Sequence, residues 1–85
     1  MMDKAEKRMN EVRAFAIAYS SVKHLIETEE SEIEFWKESK ENFIKEQDVP
    51  FPEVLDTEYY DNNIEEHEVA ITALKKILET IYKLM

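Results

Sequence analysis

Residues 9–47 read MNEVRAFAIAYSSVKHLIETEESEIEFWKESKENFIKEQ, and this stretch decides the fold. Taken in alternating steps of three and four, it gives Val12, Phe15, Tyr19, Val22, Ile26, Glu29, Ile33, Trp36, Lys40, Phe43 and Gln47. All but Glu29, Lys40 and Gln47 are apolar, and the spacing never slips. That is one face of an amphipathic helix. At about 1.5 Å per residue such a helix runs close to 60 Å. Ser31 followed by Glu34 has the form of a capping box that restarts a helix. The apolar phase crosses that point unchanged, so a continuous helix over about 3–47 is expected, with Asp3 or its neighbours starting it.

Working outward, the composition excludes most alternatives. The 85 residues contain no glycine, no cysteine and only two prolines, at positions 50 and 52. Tight β-turns call on glycine, so the chain reads as all-helical with one break. A chain without cysteine has no disulfide framework and no thiolate chemistry, which fits a cytoplasmic location. The apolar run Ala14–Tyr19 is too short to cross a bilayer or to serve as a signal core, so the chain reads as intact and soluble.

Pro50 and Pro52 place a loop at about 48–57 and a second helix at about 58–85, with Asp56 or Thr57 as its N-cap. A helical turn from Pro52 is expected within the loop, with Phe51, Val54 and Leu55 folded back over the bundle end. The second helix has its own stripe: Tyr60, Ile64, His67, Ile71, Leu74, Leu78, Ile81 and Met85, widened by Ile77 and Leu84. A single-domain antiparallel hairpin follows. Folded about residue 53, it pairs Ile71 with Trp36 and Ile81 with Ile26, and brings His67 level with Lys40. Met9 to Tyr19 is then left without a partner in its own chain. Exposed apolar clusters of that kind are rare on monomers, so a homodimer is expected, two hairpins making a helical bundle. Its interface is assigned to Val12, Phe15, Ile17, Tyr19, Ser21 and His24. A second pattern supports the assignment: Asn10, Ala14, Ile17, Ser21, His24, Thr28, Ser31 and Phe35 form another stripe with no formal charge.

The charge is strongly segregated. Residues 1–24 carry five basic and three acidic side chains, residues 25–68 three and sixteen, and residues 69–85 three and one, giving −9 overall. Such a chain repels phosphates, so direct nucleic-acid binding is excluded and a basic protein surface is the expected partner. The contact is assigned to Glu34, Glu38, Glu41, Asp56, Glu58, Tyr59 and Asp61. The protein is expected to be an inhibitor or regulator that covers a basic surface, including one that normally holds nucleic acid. An adaptor docking partner helices through its apolar stripes, and a carboxylate-rich metal site at a dimer interface, are the alternatives.

Enzymatic chemistry has little to work with. His24 and His67 are the only imidazoles, and Ser21 and Ile64 stand where a Glu-x-x-His di-metal motif needs glutamate. Phosphate loops and nucleophile elbows need glycine. A non-enzymatic protein with no cofactor and no small-molecule substrate is expected, with His67 a hydrogen-bonded residue of the core.

Overall fold

A computed structural model describes residues 3–51 and 54–85. Helix α1 spans Lys4–Gln47 and helix α2 spans Glu58–Leu84; there is no strand among the described residues. The two lie antiparallel as a rod of 71 × 16 × 15 Å. Its radius of gyration is 20.3 Å, against about 12 Å for a compact domain of this length. No helix among the described residues is long and apolar enough to cross a membrane.

Helix α1 is unbroken through the Thr28–Ser31 region. Thr28 Oγ1 donates to the His24 carbonyl at 3.0 Å and Ser31 Oγ to the Glu27 carbonyl at 3.1 Å. Both hydroxyls thus turn back on the preceding turn instead of capping a new helix. At the start, Asp3 Oδ1 accepts from the Glu6 amide at 2.8 Å, the expected cap. At the end, Asp48 takes a left-handed conformation (φ 46°, ψ 49°), and its amide donates to the Lys45 carbonyl. Glycine usually fills this position, and the chain has none.

Asp56 caps α2 with its side chain, Oδ1 accepting from the Glu58 amide at 3.0 Å, while Thr57 occupies the N-cap position itself. In the connection Val49 and Leu55 are half-buried, whereas Phe51 and Val54 stay exposed, so only part of the expected loop packing forms. The Val54 amide donates to the Phe51 carbonyl at 3.1 Å. The turn expected from Pro52 lies outside the described residues.

The three-four spacing is the seven-residue repeat of a coiled coil, with a and d in the seam between the helices. On α1 the half-buried seam runs Phe15, Tyr19, Val22, Ile26, Glu29, Ile33, Trp36, Lys40 and Phe43; on α2 it runs Tyr60, Ile64, His67, Ile71, Leu74, Leu78 and Ile81. Ile77, Leu84 and Met85, expected to join it, are exposed. The seam is thin. Ile26, 6% exposed, is the one buried hydrophobic side chain among the described residues.

Register differs from the expected one by roughly two helical turns. Lys40 pairs with Asp61 rather than standing level with His67, and His67 Nδ1 donates to Glu29 Oε2. These pairs centre the fold-back near residues 48–51, not 53. The physical reason is polar matching. Glu29 and Lys40 interrupt the α1 seam, and sliding α2 towards the α1 N-terminus gives each a partner of opposite character. The slide also carries α2 far enough to cover Phe15 and Tyr19, both half-buried within one copy. The bare overhang is therefore shorter than expected: residues 3–14 are exposed throughout.

Two outcomes test this account. Glu29→Leu alone leaves His67 half-buried without its acceptor and lowers the unfolding free energy by about 1 kcal/mol or more. Adding His67→Leu restores the loss or reverses it by about 1 kcal/mol, as read by urea denaturation. Asp48→Gly, which removes the left-handed penalty, raises stability by about 0.5–1 kcal/mol in the same assay.

Candidate functional site

The fold-back gathers the acidic stretch into one half of the rod. Residues 25–47 of α1 and 58–68 of α2 run side by side there, joined by the connection. Of the basic residues in this half, Lys40 Nζ is bonded to Asp61 Oδ1 at 2.6 Å and Lys45 Nζ lies 3.2 Å from Glu41 Oε1. Two of three local cations are thus already engaged with local acids. Most of the carboxylates have no such partner and are held out in water.

The proposed contact residues do not act as one set. Glu34 and Glu41 occupy b positions of α1 and Glu58 a b position of α2, on the side of the hairpin where Asp61 meets Lys40. Glu38 lies on the outer back of α1, one turn from both Glu34 and Glu41. All four glutamates are exposed. Asp56 is committed to capping α2. Asp61 is committed to Lys40, and it also accepts from Thr57 Oγ1 at 2.8 Å. These hydrogen bonds, the one from Lys40 first, hold the Asp61 carboxyl below the usual carboxylate range. Both aspartates shape the end of the hairpin, and the exposed glutamates carry the outward charge, Glu41 sharing its own with Lys45.

Tyr59 lies on the opposite side. Its ring stands edge-on to Trp36 with centroids 5.5 Å apart, and Trp36 is likewise edge-on to Phe35 at 5.4 Å. Tyr60 bridges from Trp36 at 6.3 Å to Phe43 at 5.3 Å. This aromatic cluster clamps the closed end. Its signal in the sequence was the adjacency of Phe35–Trp36 and Tyr59–Tyr60, which stripe spacing alone passes over.

Among the residues assigned to a dimer contact, Val12, Ile17, Ser21 and His24 are exposed, and Phe15 and Tyr19 are half-buried. No group of three or more His, Cys, Asp or Glu placed to hold a metal occurs among the described residues. His67 and Glu29 satisfy each other across the seam.

Asp61 gives a pH test with a definite sign. A carboxyl lowered in the folded state stabilises the fold above its unfolded pKa, and that contribution disappears as pH falls through the folded value. Stability should therefore drop as pH goes from about 5 to about 3. In Asp61→Asn, already weaker at neutral pH, that acid drop should be shallower by thermal denaturation. No family model, curated protein or solved structure matches the chain.

Proposed function

We propose that the protein is a non-enzymatic, self-associating binding module of the cytoplasm whose acidic half occupies a basic surface of a partner protein, acting as an inhibitor or regulator. One observation carries this reading. Folding collects the acids of residues 25–68 into one half of the rod, and two of the three cations there are consumed in ion pairs. What remains is a concentrated negative field that destabilises the chain through self-repulsion. Lysine- and arginine-rich surfaces relieve it, and nucleic-acid-binding surfaces have that chemistry. Steering by such a field accelerates association and makes it sensitive to salt.

Glu34, Glu38, Glu41 and Glu58 provide the contact, with Asp56, Asp61 and the aromatic cluster holding the end in shape. The adaptor reading draws on a different feature, the apolar side chains left exposed along the rod. One experiment separates the two. Glu34→Lys/Glu38→Lys/Glu41→Lys reverses exposed charges without touching the seam, so helicity should persist. Binding to a basic nucleic-acid-binding partner recovered from host extract should weaken by at least about tenfold, and wild-type binding should be lost near half-molar salt. An adaptor contact would survive both treatments, and that result rejects the acidic surface as the site.

A further inference from the structure

Placing each residue in the seven-residue repeat divides the hairpin into two long sides. Beside the a positions lie e and b, on the side where Lys40 meets Asp61. From Arg13 to Glu79, every helical b position is charged except Ser20 and Thr72. Beside the d positions lie g and c, on the side where Trp36 meets Tyr59. From Ala14 on α1 to Leu84 on α2, the only charged helical g or c residues are Glu32, Glu46 and Glu66. In a chain that is 36% charged, one side of the rod is salt and the other is nearly neutral.

The neutral side also carries five of the large apolar side chains left exposed among the described residues. Leu25, Phe35, Tyr59, Ile77 and Leu84 all lie on it and are all about half exposed or more. Between them stand small residues, Ala14, Ala18, Ser21, Ala70 and Ala73, which let a second helical layer approach closely. Its two threonines already have partners: Thr28 and Thr80 donate to carbonyls of their own helices at 3.0 Å. Covering them with protein strands no hydroxyl.

The geometry points to a second copy of this chain as the occupant: two hairpins lie antiparallel, neutral side to neutral side, crossing near Ser21. This rests on the self-association part of the reading above and is independent of any basic partner. Area supports it. The chain exposes 7029 Å², whereas a compact monomer of its mass exposes about 5,300 Å². An obligate two-fold dimer removes about 1,000–2,500 Å² from each copy, which spans that excess. Charge supports it as well. The bare overhang contains Lys4, Lys7, Arg8 and Arg13 against Asp3, Glu6 and Glu11. Crossing at Ser21 lays it along residues 29–38 of the other copy, a stretch of five acids and one lysine whose Glu32 lies on the neutral side itself. The two strongly acidic closed ends are left pointing outward, at opposite extremities of the dimer.

Because the chain has no cysteine, adjacent serines test the face directly. Ser20 and Ser21 are both exposed and sit on opposite sides, at b and c. Ser21→Cys near a two-fold crossing brings its own copy within the roughly 7 Å between Cα atoms that a disulfide tolerates, and should cross-link at least about ten times faster than Ser20→Cys under mild oxidation. Leu25→Asp/Ile77→Asp should give a monomer by light scattering with helical circular dichroism retained. A wild-type chain that scatters as a monomer at micromolar concentration rejects self-association itself. A wild-type dimer in which Ser21→Cys links no faster than Ser20→Cys, or which survives Leu25→Asp/Ile77→Asp, keeps self-association and overturns this face.

Discussion

Two cross-helix polar pairs, Glu29 with His67 and Lys40 with Asp61, hold the two helices in one alignment. Neither pair is deeply buried, and neither adds much raw stability. Their effect is on the alternatives. A purely apolar seam with a strict seven-residue repeat can slide by one repeat and still match apolar to apolar. Here a slide by one repeat strands Glu29 against an aliphatic layer and leaves His67 without an acceptor. A few polar groups in a seam characteristically fix register in this way, at some cost in stability. From that alignment follow the reach of α2 to Phe15, the position of the aromatic clamp and the length of the bare overhang.

The pairs also explain why the sequence spoke clearly about the elements and poorly about their alignment. The helix limits, the Asp3 cap, the continuity through Thr28–Ser31 and nearly all seam residues were legible, because helical phase is a local property. Register is not local. Counting from the proline break assumed that the loop divides its length evenly between the helices. Instead Asp48 turns the chain sharply straight after Gln47, and Val49 and Leu55 pack back along the closed end. The polar seam positions Glu29 and Lys40 held the missing information, once treated as half of two pairs rather than as defects in a stripe. The acidic half of the rod was legible as composition but not as geometry, since Asp56 and Asp61 look like free charges until their hydrogen bonds are seen.

A hairpin this thin has a physical deficit that alignment cannot repair. Two helices in contact can hide only the strip between them, and one buried side chain among the described residues is little return for ordering some seventy helical residues. Chains of this size meet that deficit with disulfides, metals or a further layer. The first is ruled out by composition. A further layer of helices would suit this surface, since from Ala14 onward one side of the rod carries few charges while the other carries many.

The separation of neutral side from acidic end has a consequence for how the two proposed contacts would coexist. The exposed glutamates Glu34, Glu41 and Glu58 lie on the charged side of the closed half, with Glu38 on the outer back, whereas Leu25 and Ile77 lie on the neutral side nearer the open half. A copy docked on the neutral side therefore covers none of these glutamates. It also neutralises part of the acid at residues 29–38 with the basic overhang, lowering the self-repulsion that a lone chain carries. Association would then stabilise each hairpin and leave the field at the two extremities free to meet a basic surface. Two such poles, rigidly spaced on one rod, would engage a repeated or two-fold basic partner with an effective local concentration that a single hairpin cannot offer.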